Sequence, residues 1–295
     1  MDKTLLLGNG LNRCIEDGFD WAQLMKRLGS KCVDDERVPF PIQFEEVAAR
    51  NGCMIGKRRV DPYKELREQL SIEIEGSKLK PNEVHEAFRD LKMKHVVTTN
   101  YDTVFESLFN TEKALKNPGS SRNVLGAVFK TSDTHFYHAH GLASWKNTLC
   151  LGHEHYVSLI GKIRGEFYTN KDDESKENLT DLVTGKREPK GIWPELLFAT
   201  NVAIVGLGLD YSEIDLWWLL SVRAALFSPN KKLSEYENQI VYYQAKTCDQ
   251  ESAPARGKKK ALESLGVQVK SIPAESYSKA YQEIAKCIDA DWSTD

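Results

Sequence analysis

No two of the six cysteines are close enough to form a CxxC pair. Zinc knuckles and thioredoxin-type redox sites share that spacing, so its absence excludes both. The thiols, at positions 14, 32, 53, 150, 248 and 287, read as small free hydrophobes in a reducing compartment. Long apolar runs are missing too. The longest, 202–209, carries two glycines and stops at Asp210, far short of the roughly 20 residues that a spanning helix needs. An excess of one charge is also lacking. Forty Lys and Arg stand against 43 Asp and Glu, a net charge of -3 and an isoelectric point near 6.2. That balance gives no electrostatic case for coating nucleic acid or an anionic membrane, and neither partner is expected. The first eight residues lack a basic stretch and a long apolar one, so they do not read as a signal peptide. A cytoplasmic protein is expected.

What is present is a globular balance of 41% hydrophobic and 28% charged residues over a length of 295. Short apolar runs at 4–7, 95–98, 135–140, 201–205, 239–243 and 267–272 read as strands buried on both faces. Helical spacing occurs at 61–75, 82–92, 103–109, 212–226, 258–265 and 276–288. This alternation predicts an α/β fold with a doubly wound, mostly parallel Rossmann-like sheet. Residues 1–295 read as one domain, with helical insertions at about 20–93 and 150–198 forming a smaller cap. The mixed-charge run 170–178 and the Gly- and Pro-containing stretch 185–191 read as solvated loop.

In an open parallel sheet, ligands bind outside the carboxyl ends of the strands. Four predicted strands end there in glycines and small polar groups. The first runs into Gly8-Asn9-Gly10-Leu11-Asn12 and the second into Thr99-Asn100-Tyr101-Asp102. The third runs into His138-Ala139-His140-Gly141 and the fourth into Gly206-Leu207-Gly208-Leu209-Asp210. Glycines directly after a strand let backbone approach a phosphate, although the same residues also make ordinary strand-to-helix turns. Asp102 doubles as a cap for a helix at 103–109, and Ser212-Glu213-Ile214-Asp215 resembles a capping box. Asn100 has no such structural use and offers both a donor and an acceptor. Five of the seven histidines fall between 135 and 155, among them the pairs His138/His140 and His153/His155. No cysteine or carboxylate cluster joins them, so no metal is expected. His140, at the very strand end, reads as a general base.

The ordered set Gly8-Asn9-Gly10, Thr98-Thr99-Asn100-Tyr101-Asp102, His140-Gly141 and Gly206-Leu207-Gly208-Leu209-Asp210 resembles a sirtuin-type NAD-binding domain. More narrowly, it is similar to the bacterial sirtuin-like NAD hydrolases of anti-phage defence. The resemblance runs from the first strand to about Ile288. It implies that Gly8, Asn9, Gly10 and Asn12 lie at the NAD phosphates and that Asn100 contacts the nicotinamide ribose and its attacking water. It further implies Asp102 in the nicotinamide pocket, His140 as base, and Gly206, Gly208, Leu209 and Asp210 along the dinucleotide. Asn100 and His140 are thus the expected catalytic residues.

Protein-deacylating sirtuins carry a zinc module built on two CxxC pairs, which this chain lacks. The implied activity is therefore NAD glycohydrolysis, giving nicotinamide and ADP-ribose. NAD-dependent deacylation and non-catalytic sensing of NAD or an ADP-ribose derivative are the alternatives. An unrestrained NAD hydrolase would drain its host. Control is therefore expected, through a homo-oligomer or a separately encoded partner such as an ATPase or a nucleic-acid-guided sensor.

Overall fold

The computed structural model describes residues 1–16, 18, 21–31, 38–50, 63–116, 124–168, 179–228, 232–247 and 252–292. The run 170–178, Cys32, Cys53 and Cys248 lie outside them. Eight strands form one sheet: β1 (Lys3–Leu7), β2 (His95–Thr98), β3 (Glu112–Lys113), β4 (Phe129–Lys130), β5 (His135–His138), β6 (Asn201–Val205), β7 (Ile240–Lys246) and β8 (Gln268–Pro273). Their spatial order is β3-β4-β5-β2-β1-β6-β7-β8. All pairings from β5 to β8 are parallel, while β3 and β4 add an antiparallel edge. The predicted doubly wound, mostly parallel sheet is the observed one. The chain winds outward in one direction from β1 through β2 to β5, then returns and winds the other way from β6 to β8. This order puts the topological switch point between β1 and β6, where a crevice opens beyond the strand ends.

Each central strand is apolar on both sides, and the two sides have separate partners. Leu6, Val97, Tyr137, Ile204 and Tyr242 face one layer, made by α5 (His153–Phe167), α7 (Trp193–Ala199) and α8 (Ile214–Leu226). Leu5, Leu7, Val96, Phe136, Val205 and Val241 face the other, made by α4 (Glu83–Arg89) and α10 (Tyr277–Trp292). This two-sided burial is why the strands read as continuous apolar runs. A third cluster joins α1 (Trp21–Arg27), α2 (Phe40–Arg50) and α3 (Lys64–Gly76) to Tyr101, Ala143, Leu149 and Leu151. These helices therefore sit on the segments that follow β2 and β5, beside the crevice. Between α5 and α7 lies α6 (Leu179–Val183), and α9 (Ala253–Ser264) precedes β8.

Some boundaries differ from expectation. The predicted strand at 135–140 ends at His138, because Gly141 turns the chain at φ 95°. The predicted helix at 103–109 is a single 3₁₀ turn, Glu106–Leu108. Asp102 still accepts a bond from Val104 N at 2.9 Å, so the cap forms without its helix. Helix α8 starts at Ile214 with no side-chain cap, and the predicted capping box is not made. Strands β3 and β4, two residues each, are too short to show an alternating pattern.

Candidate functional site

A cleft of about 540 Å³ opens at the switch point. The loop after β1 supplies Asn9, Gly10 and Arg13, the loop after β6 supplies Gly206, Gly208, Asp210 and Glu213, and β5 leads into it at His140. Thr99 and Tyr101 come from the β2 end, Gln244 and Tyr242 from β7, Lys258 from α9. Trp21 of α1 and Phe40 of α2 close it from the side, with ring centroids 4.8 Å apart. Trp21 also meets Tyr101 edge-on at 5.0 Å. Its volume is that of an ordinary cofactor site.

The two glycine loops touch backbone to backbone. Gly8 N donates to Val205 O at 3.0 Å and Gly10 N to Gly206 O at 2.7 Å. A Cβ on Gly8 would lie 2.6 Å from Gly206 O, and one on Gly10 2.6 Å from Gly206 Cα. Gly206 itself needs φ 64°. These three glycines are therefore required by the fold before any ligand arrives. Gly208 differs, because no described residue lies within 4 Å of its missing side chain.

The expected site residues divide into three groups. Asn9, Gly10, His140, Gly206, Gly208 and Asp210 line the cleft together. Asn100 and Asp102 line a small void that shares Asn9, Trp21 and Tyr101 with the cleft wall. The Asn100 Nδ2 reaches Gly8 O at a long 3.4 Å. The remaining three line neither the cleft nor the void. Gly8 is taken up by the loop contact, and Leu209 is fully buried in the sheet's upper core at φ 45°. Asn12 is 2% exposed and works as a strut. Its Nδ2 donates to Asp102 Oδ2 at 2.9 Å, and its Oδ1 accepts from His85 Nε2 at 3.0 Å. Burial lowers the His85 pKa to about 4 and raises that of Asp102.

The histidines do not converge. His135 stacks on His95 at the opposite end of the strands, and His155 Nδ1 accepts the amides of Leu151 and Gly152 at 3.1 Å each. His138 and His140 have separate surroundings. His138 Nδ1 donates to Asn100 O at 3.0 Å, and its Nε2 lies 3.2 Å from Glu106 Oε1. This buried imidazole holds the Asn100 backbone from behind. His140 Nε2 donates to Asp215 Oδ2 at 2.9 Å, and its ring meets Tyr156 edge-on at 5.3 Å. Burial works against a charged His140, but Asp215, with help from Glu213, outweighs it and raises the pKa above its ordinary value. Nδ1 of His140 is engaged by no described residue. Among the described residues no group of three or more His, Cys, Asp or Glu is arranged to hold a metal.

Two acids of this site, Asp215 and Glu213, were legible in sequence only as parts of a helix start. Asp215 is fully buried, and burial pushes the Glu213 carboxyl up to about 7. The two cations lining the cleft, Arg13 and Lys258, also escape a search by motif. Lys258 Nζ donates to Gly208 O, so it reaches across the mouth of the fourth loop.

Comparison with protein families matches residues 94–252, just over half the chain, to the SIR2-like domain. The chain belongs to the SIR2-like family. SIR2-like domains bind NAD and are typically NAD-dependent enzymes. In this SIR2-like protein the matched range holds Asn100, His140, Glu213 and Asp215. The loop after β1 lies outside that range and meets the loop after β6 in space. No curated protein matches the chain. No helix among the described residues is long and apolar enough to cross a membrane.

Proposed function

We propose that the protein is an NAD glycohydrolase, converting NAD and water to nicotinamide and ADP-ribose. The observation that carries this reading is His140, fixed by Asp215 and lining a cleft of dinucleotide size at the switch point of a SIR2-like sheet. Arg13 and Lys258 offer positive charge to a pyrophosphate, and the open Cα of Gly208 admits close approach.

Breaking the bond between nicotinamide and ribose develops an oxocarbenium-like centre at C1′, as in glycoside hydrolysis. Nicotinamide leaves as a neutral molecule and needs no strong acid. The site must orient the ribose and one water and keep other water out. Asn100 carries an amide able to hold both water and a ribose hydroxyl. His140 is the acid–base group. Asp215 holds Nε2–H and so leaves Nδ1 to exchange a proton with the water or a hydroxyl. Trp21, Phe40 and Tyr101 form the apolar wall that limits solvent.

The resemblance to anti-phage NAD hydrolases extends the reading to a regulated effector. Its turnover would be released by self-assembly or by a separately encoded ATPase or nucleic-acid-guided sensor. Purified protein mixed with NAD tests the activity. Nicotinamide released without an acyl-peptide supports hydrolysis. Release only with an acyl-peptide replaces it with deacylation, and binding without turnover replaces it with sensing.

A further inference from the structure

The loop after β1 spends two of its amides on the neighbouring loop and strand. Gly8 N donates to Val205 O and Gly10 N to Gly206 O, so neither is left to meet a phosphate. A glycine loop that opens a helix ordinarily offers such amides to an anion. Here side chains around the loop have to supply donors in their place. Arg13 lines the cleft and is one of them. Another comes from the far end of the chain. Tyr281 of α10 lines the cleft beside Gly10 and Gly206, and its hydroxyl is the described atom nearest to the Cβ that Gly10 lacks, nearer than Gly206 Cα at 2.6 Å. The hydroxyl therefore fills the space over Gly10 that a side chain there would take.

The ring and the hydroxyl of Tyr281 have different surroundings. The ring packs with Leu11, Val205, Tyr243 and Ile284 in the apolar layer that α4 and α10 lay against the sheet. The residue is 7% exposed. A buried tyrosine hydroxyl ordinarily finds a hydrogen-bond partner, yet no described residue bonds this one. Burial pushes its pKa above the ordinary value against an opposing pull from Arg13, so it keeps its proton and remains a donor. One free donor on a fixed ring thus stands over the loop where the cleft is lined by Arg13.

We propose that Tyr281 is a diphosphate-binding residue of the cleft, its hydroxyl donating to a phosphate oxygen of the dinucleotide held over Gly10. This assignment rests on the NAD reading above. It names a contact that neither the glycine motifs nor the family match contains, since Tyr281 lies outside residues 94–252. The dinucleotide is then gripped from both ends of the chain, by the loop after β1 and by α10. The diphosphate keeps its charge and its bonds while nicotinamide leaves C1′. Tyr281 therefore holds the substrate and the transition state alike, and sets affinity rather than the rate of cleavage.

The test compares wild type with Tyr281→Phe, which deletes one oxygen and keeps the packed ring. Calorimetry with ADP-ribose, which carries the diphosphate and has no nicotinamide to lose, should show binding weakened roughly 10-fold. The KM for NAD should rise by a similar factor, with kcat within about 2-fold and the melting temperature unchanged. An ADP-ribose affinity within about 2-fold of wild type, or a loss confined to kcat, overturns the assignment. Should Tyr281→Phe fail to fold, a crystal structure of wild type with ADP-ribose decides. Tyr281 Oη within about 3.0 Å of a phosphate oxygen supports the assignment, and Oη away from both phosphates overturns it. Wild type that binds ADP-ribose but leaves NAD intact overturns the hydrolase reading alone. Wild type that binds neither overturns both.

Discussion

Glu213→Gln should make the protein more stable, and increasingly so as pH rises. Burial raises the carboxyl from its ordinary 4.5 to about 7. Below about pH 4.5 the group is protonated in the folded and the unfolded chain, and its ionisation costs nothing. Between 4.5 and 7 the unfolded chain ionises while the folded one resists, so folding loses about 1.4 kcal/mol per pH unit. Above 7 the penalty levels off at about 3 kcal/mol. A glutamine of the same shape has no charge to desolvate and escapes it. Part of the gain is returned at His140, whose charged form is favoured partly by Glu213. That contribution is present below about pH 6.5 and lost as pH rises through the raised His140 pKa. The net gain expected at pH 8 is therefore roughly 1–3 kcal/mol, with almost none at pH 4.5. Urea unfolding of both proteins at the two pH values measures it, as a midpoint shift at constant slope. A gap that stays flat with pH, or a variant less stable at pH 8, would refute the reasoning.

Other outcomes follow from the same geometry. His140→Ala and Asn100→Ala should each lower NAD turnover by roughly 10² to 10⁴ with the fold retained, as read by nicotinamide release and circular dichroism. His138→Ala should lower thermal stability as well as turnover, since it leaves buried Glu106 without its imidazole neighbour and frees the Asn100 backbone. Gly8→Ala forces a Cβ against the carbonyl of Gly206 and should destabilise the protein in thermal unfolding. Gly208→Ala meets no described residue within 4 Å, so it should fold like wild type and raise the KM for NAD. Turnover should survive thorough chelation, and loss of activity with release of stoichiometric zinc would contradict that expectation.

The sheet was legible because its strands are buried on both faces, which leaves runs such as Leu5-Leu6-Leu7 and Val202-Ala203-Ile204-Val205 with no polar alternation. What sequence missed were features set by distant partners. Strands β3 and β4 exist because β5 offers them an edge, not because of any pattern in Glu112-Lys113 or Phe129-Lys130. The family resemblance implies ligand contacts for Asn12 and Asp102, and in the structure the two bond each other across 90 residues. Their polarity serves to join the loops after β1 and β2, and α4 through His85, into one rigid support.

Asp215 is the instructive failure. A serine followed three residues later by an acid signals a helix start, and a helix does start there. The local rule and the functional demand call for the same residue types in the same place. What separates them is His140, 75 residues earlier, which is reached only when the folded sheet sets β5 and β6 with two strands between them. Asp215 turns its Oδ2 to that imidazole, and the Ser212 amide that the capping box assigns to it is taken by Asp210 Oδ1 at 2.8 Å. Asp215 and Glu213 each keep one buried oxygen with no hydrogen-bond partner among the described residues, an arrangement that a stable helix start alone does not call for. A buried acid that serves a distant imidazole therefore marks the candidate site more sharply than the glycine loops do. Three of those glycines, Gly8, Gly10 and Gly206, are fully explained by packing against each other.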